Sequence, residues 1–139
     1  RIKDLFKTSN GKYIAPQQVE SLLLVDKFID QVAVIADQRK FVSALIVPEF
    51  RLVEDWAREH HIAFSSREDL CANEQVKKML QERINTLQQQ LAYYEQIKRI
   101  TLLPHHFSME SGELTNTLKI RRPIINKNYK AEIDKMYEE

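Results

Sequence analysis

Glycine, proline and cysteine are scarce in this chain, at 2, 4 and 1 of 139 residues. So few glycines and prolines exclude collagen-like or linker character and make each glycine worth a question. The lone Cys71 cannot close an internal disulfide. It fits a reducing cytosolic setting and reads as an ordinary buried or half-buried thiol rather than a reactive one. No apolar run approaches the roughly 20 residues of a membrane-spanning helix. No signal peptide opens the chain either, because Arg1 leads straight into Ile2-Lys3-Asp4. That abrupt, strand-like start suggests a piece of something longer. An excess of one charge is missing too. With 21 basic and 20 acidic residues the net charge is +1, so a charged ligand must be held by a local cluster rather than by a global field.

What remains is the composition of a globular protein, 43% hydrophobic and 29% charged. Residues 1–139 make one domain, and a chain of this length buries roughly two-thirds of its unfolded surface without staples. Residues 1–6 alternate charged and apolar, and 12–15 return to β-like residues. Ser9-Asn10-Gly11 between them tolerates the positive φ of a tight turn. Pro16 suits a first helical turn, with Val19, Leu22 and Leu23 on one face. The β-branched runs 30–36 and 41–47 flank the charged turn 37–40 and predict a buried hairpin. A helix after Pro48 turns Val53, Trp56 and Ala57 inward, with Trp56 as a core anchor. Ser65-Ser66-Arg67-Glu68-Asp69 has the hydroxyl-then-acid pattern of a helix start.

Apolar residues at 76, 79, 80, 84, 87, 91 and 94 predict a core-facing helix over about 74–92. Residues 97–103 read as a third strand stopped by Pro104, and 107–117 as an irregular loop containing Gly112. A last helix from Pro123 carries Ile125, Tyr129, Ile133 and Met136 on one stripe. The fold class is α+β: a small N-terminal β-hairpin, then a three-stranded sheet packed by helices.

Two stretches carry chemistry. In the first, Arg1, Lys3, Lys7 and Lys12 flank the turn at Gly11, where a ligand can approach the backbone closely. This is either a phosphate or nucleotide contact or a charged edge hairpin kept soluble by its lysines. The second runs Gly112-Glu113-Leu114-Thr115-Asn116-Thr117-Leu118-Lys119-Ile120-Arg121-Arg122-Pro123. Lys119, Arg121, Arg122, Lys127 and Lys130 place five cations within twelve residues that contain no acid. A lysine on a loop entering a helix suits an anionic ligand. A solvated basic face is the alternative.

Together the two stretches resemble the paired C-terminal motifs of the adenylate-forming (AMP-binding) superfamily. The first is similar to its R-x-K-D/E-x-x-K…G…I-A-P hinge motif, and the second to its terminal T-x-K-[IL]-[RK]-R motif. Their wording looks most like bacterial long-chain fatty acid–CoA ligase. The resemblance covers essentially the whole chain. It implies the mobile C-terminal lid of an ATP-dependent acyl-CoA synthetase, whose N-terminal ATP- and acyl-binding domain is absent. In that frame Lys119 matches the catalytic adenylation lysine and Lys3 the hinge. Arg1 and Lys7 match nucleotide contacts, Gly11 lines the CoA channel, and Arg121, Arg122 and Lys127 are candidates for the CoA phosphates.

ATP, Mg2+, CoA and fatty acid are implied for the complete enzyme, which would be cytoplasmic or peripheral to the inner face of the membrane. The fragment alone is expected to be inactive. Two departures stand out: the turn 8–10 looks one residue longer than in the aryl-CoA branch, leaving Lys12 and Tyr13 unplaced, and Asn116 stands where proline is expected.

Metal binding is set aside. His60-His61 and His105-His106 are adjacent pairs that point apart, with no completing ligand spacing. The rival class is a non-catalytic basic module gripping nucleic acid or a partner through Lys119–Lys130. A second rival pairs helices through 74–92. Neither explains why both ends carry the family's wording.

Overall fold

The structure, a computed structural model, describes residues 5–138. It opens on a small antiparallel hairpin of β1 (Phe6–Lys7) and β2 (Tyr13–Ile14), with Phe6 opposite Ile14. The Gly11 amide donates to the Thr8 carbonyl at 2.9 Å, and Gly11 itself sits at φ +83°. No atom lies within 4 Å of where its Cβ would stand, so the backbone angle, not space, calls for glycine. The hairpin is moored to the turn between the next two strands: Ser9 N donates to Arg39 O at 2.9 Å and Gln38 N to Lys7 O at 2.8 Å.

Helix α1 (Pro16–Leu23) starts on proline and buries Val19 and Leu23 against the sheet. The sheet has strand order β3-β4-β5, built from β3 (Ile29–Ile35), β4 (Val42–Pro48) and β5 (Ile97–Leu102). β3 and β4 pair antiparallel, and β5 lies parallel to β4. All of β4 is buried because it is the central strand, covered on both faces, and its unbroken Val-Ser-Ala-Leu-Ile-Val run meets that demand.

Three further helices follow β4 before β5. In α2 (Phe50–Glu59) Val53 and Ala57 are buried, whereas Trp56 is only half-buried and stacks on His60 at 4.3 Å. The expectation of Trp56 as a core anchor is corrected to a packing residue at the core's margin. α3 (Arg67–Ala72) starts as its sequence indicates: Ser66 Oγ accepts from Asp69 N at 3.1 Å, and Asp69 accepts from Ser65 N at 3.0 Å. α4 (Glu74–Leu87) is capped by Asn73 and buries Val76, Leu80 and Ile84.

Two helices end sooner than their periodicity suggests. The chain leaves α4 at Leu87 and passes through short 3-10 turns at Gln88–Gln90 and Tyr93–Glu95. Gln88 causes this. Its buried amide donates to Ile97 O at 2.9 Å and accepts from Ile97 N at 2.6 Å, standing in for a neighbouring strand at the start of β5. The last helix is two, α5 (Arg122–Asn128) and α6 (Lys130–Met136), with the break at Tyr129 (φ −115°). Tyr129 packs edge-on to Phe107 at 5.9 Å, and Asn128 reaches Glu113 at 3.0 Å, so the chain bends toward the 107–117 loop. No helix among the described residues is long and apolar enough to cross a membrane.

Candidate functional site

The second motif forms a tight β-turn, held by an isolated antiparallel bridge between Leu114 and Ile120. Thr115 organises it. Its amide donates to Lys119 O at 2.8 Å, its carbonyl accepts from Leu118 N at 2.8 Å, and its hydroxyl accepts from Lys119 N at 3.1 Å. Leu118 closes the turn at φ +63°. The turn is anchored from below by Glu113, a buried carboxylate that accepts from Ser111 Oγ at 2.7 Å and Asn128 Nδ2 at 3.0 Å. The Glu113 carbonyl takes the Arg121 amide at 2.8 Å. The fixed base thus presents Lys119 outward, exposed and with no carboxylate partner among the described residues.

The two motifs meet. Ile120, Arg121, Arg122 and Pro123 line a hollow of about 420 Å3 together with Leu5, Phe6 and Asp37. The Arg122 guanidinium lies over the Phe6 ring at 5.3 Å. It also forms a bidentate pair with Glu20 at 2.8 and 2.9 Å, with the two side chains 14% and 9% exposed. Glu20 Oε2 accepts in addition from the Val34 amide at 2.8 Å, on the outer edge of β3. One buried ion pair therefore ties α1, β3 and the start of α5 together.

The sequence-based site residues separate accordingly. Lys119, Arg121 and Lys127 are exposed, Lys127 on the rim of a second hollow of about 310 Å3 between β3, α5 and α6. Arg122 is paired with Glu20. Lys130 pairs with Asp134 at 2.7 Å, and Arg39 with the same carboxylate at 3.3 Å. The Lys130 hydrogen bond, with help from Arg39, holds the Asp134 carboxyl below the usual carboxylate range. Two of the five clustered cations are therefore already neutralised locally. Lys7 is exposed on the opening hairpin and lies 5.7 Å from the centre of the Tyr13 ring, while Lys12 lies 5.3 Å from that of Tyr94. Arg1 and Lys3 lie outside the described residues.

Sequence reasoning missed Glu20 and Glu113. An acid between Val19 and Leu23 on the inward face of α1 was a signal for Glu20. Nothing local marked Glu113. Among the described residues no group of three or more His, Cys, Asp or Glu converges on a metal-sized site. Cys71 is half-buried, and burial first, then the Glu68 charge, pushes its thiol up to about 12. At pH 8 it should therefore react with iodoacetamide at least about a hundredfold more slowly in the native protein than in urea, because the reactive thiolate is suppressed. Mass mapping of the Cys71 peptide over time gives the two rates.

Comparison with known proteins agrees with this architecture. Residues 3–139 match the family described as AMP-binding enzyme C-terminal domain. Human long-chain-fatty-acid–CoA ligase 1 is 35% identical over 140 residues, covering 99% of this chain and 20% of that protein. Long chain acyl-CoA synthetase 2 of Arabidopsis thaliana is 32% identical over 142 residues, covering 100% of this chain and 21% of that protein. The chain thus spans about a fifth of the length of these curated relatives. Among solved structures, the adenylation domain of a Mycobacterium chelonae carboxylate reductase superposes with a TM-score of 0.78 at 20% identity, over 96% of this chain and 19% of that one. Brucella canis acyl-CoA synthetase superposes with a TM-score of 0.55 at 22% identity, over 97% of this chain and 20% of that one. These likenesses bear on the fold. On the match along nearly its whole length, the chain belongs to the AMP-binding enzyme C-terminal domain family.

Proposed function

We propose that this domain is the mobile lid of an ATP-dependent long-chain fatty acid–CoA ligase, and that Lys119 is its adenylation lysine. The observation that carries the proposal is the exposed, unpaired Lys119 ammonium, presented by a rigid turn beside the opening hairpin. In adenylation a carboxylate oxygen of the fatty acid attacks the α-phosphorus of ATP. The new O–P bond forms as the bond to pyrophosphate breaks. Attacking and leaving groups are both anionic, so a cation delivered between them offsets their repulsion and stabilises the charge of the transition state.

ATP and Mg2+ belong, in this reading, to the complete enzyme rather than to this domain. After adenylation the lid rotates about Lys3 and presents the Gly11 turn to the CoA channel. Arg1 and Lys7 contact the nucleotide. Arg121 and Lys127 remain available for CoA phosphates, and the Glu20 pair turns Arg122 toward a supporting role. That pairing, with Lys130 held by Asp134, thins the cation cluster that a nucleic-acid grip would need.

The test is to separate the half-reactions in the complete enzyme, using ATP–pyrophosphate exchange for adenylation and CoA consumption from a supplied palmitoyl-adenylate for thioester formation. Lys119→Ala should impair the first alone. Lys3→Pro should retain at least one half-reaction and lose turnover between them, since proline fixes the dihedral a hinge must change. A Lys3→Pro enzyme with full overall turnover would remove the hinge assignment.

A further inference from the structure

We propose that Leu118 is a positioning residue for adenylation: its side chain seats against the domain that precedes this one in the complete enzyme and sets how far Lys119 reaches. The inference rests on the role given to Lys119 above. Three described non-glycine residues have positive φ: Gln38, His61 and Leu118. Gln38 is a polar residue in the β3–β4 turn, and His61 follows the end of α2, where a left-handed residue commonly closes a helix. Leu118 has neither excuse. It is a bulky apolar residue at φ +63°, and its side chain is 66% exposed.

The local physics argues against leucine at this position twice over. A side chain with a Cβ is strained in the left-handed region, where glycine is at ease and asparagine is tolerated. Exposure also denies leucine the burial that normally rewards it. Exposed apolar residues are common, and Val25 and Tyr93 are more exposed than Leu118. Among the described residues, though, the combination of a large exposed hydrophobe and positive φ occurs at Leu118 alone. Backbone strain of this kind concentrates where function requires it.

The turn itself needs only its Thr115 bonds, which are made by backbone atoms and by the threonine hydroxyl. The leucine side chain must therefore be rewarded outside this domain. The occupant is the preceding domain, because the family is a C-terminal domain and this chain spans about a fifth of its curated relatives. Leu5 (61% exposed), Phe6, Ile120 and Pro123 add apolar groups beside the same turn, in a hollow they share with Asp37, Arg121 and Arg122. Leu118 and Lys119 are adjacent on one rigid turn, so seating the first fixes the reach of the second.

The experiment uses the complete ligase with ATP, palmitate and CoA, and reads the two half-reactions separately. Leu118→Gly and Leu118→Asn both keep the left-handed turn and remove the apolar contact. Each should slow pyrophosphate exchange roughly tenfold to a hundredfold, the scale on which a misplaced catalytic group loses rate. Thioester formation from supplied palmitoyl-adenylate should stay at the wild-type rate. Leu118→Met keeps the apolar contact and should retain exchange within about threefold of wild type, a loss smaller than that range.

Wild-type exchange in the Gly and Asn variants overturns the proposal. An equal fall in both half-reactions also overturns it, since that marks a merely structural residue, as does a Met variant no better than Asn. Lys119→Ala is run alongside. If it leaves exchange intact, the assignment of Lys119 fails first; if it abolishes exchange while the Leu118 variants are unaffected, only the role of Leu118 fails.

Discussion

Lys119→Ala should slow acyl-adenylate formation in the complete ligase by roughly 10²–10³, the usual loss when one cation or donor aimed at transition-state charge is removed. Thioester formation from a supplied adenylate should continue at its normal rate, because on the proposed mechanism the lid then presents a different face. The split follows from how Lys119 is held. The turn is fixed by Thr115 through backbone atoms and its own hydroxyl, and Lys119 contributes only main-chain atoms to it. Truncating the side chain therefore leaves the turn intact and the fold unstrained. With the ammonium exposed and no carboxylate partner among the described residues, its loss should change melting temperature little. A kinetic loss without a stability loss is the signature. Lys119→Arg keeps the charge but exchanges a compact ammonium for a planar fork, and should recover part of the rate. Adenylation at the wild-type rate in Lys119→Ala would end the assignment of this lysine to the chemistry.

The sequence was most legible where local pattern and tertiary environment ask for the same thing. The central strand β4 is covered on both faces and carries an apolar run interrupted only by Ser43, so composition and burial agree. The start of α3 could be read because the Ser66 hydroxyl accepts from the Asp69 amide while the Asp69 carboxylate accepts from the Ser65 amide, all within five residues. Legibility failed where a residue answers a distant partner. Gln88 extends the helical pattern of α4 in every local respect, yet its amide is recruited by Ile97 and the helix stops. Tyr129 likewise continues a helical stripe but turns to Phe107, and the last helix breaks in two. The candidate site divides in the same way. Lys119 stands out as a candidate because its motif is contiguous. The pairing of two of its neighbouring cations was not legible, because the acids that meet Arg122 and Lys130 lie 102 residues away or on the next turn of helix.

That distant pairing sets the second large effect. Arg122→Ala should destabilise the domain by about 3–5 kcal/mol, because it strips the cation from a carboxylate that stays buried. Glu20 is 9% exposed at its side chain and cannot swing to water while α1 packs on β3. The neighbouring Arg121 is exposed, and Arg121→Ala should change stability by no more than about 0.5 kcal/mol. Urea unfolding of the chain distinguishes the two by a fall in midpoint at constant slope.

The double variant Glu20→Leu with Arg122→Met separates charge from hydrogen bonding. Removing both charges should recover much of the loss, since buried ion pairs gain little over apolar groups of similar size. It should not recover all of it. The Val34 amide, which donates to Glu20 at 2.8 Å on the outer edge of β3, loses its acceptor, and an unmet buried amide costs about 1–3 kcal/mol. The expected order of stability is wild type, then the double variant, then Arg122→Ala. A double variant as unstable as Arg122→Ala would mean that the charges were never the issue. The join between α1, β3 and the turn that carries Lys119 would then depend on the shape of the two side chains.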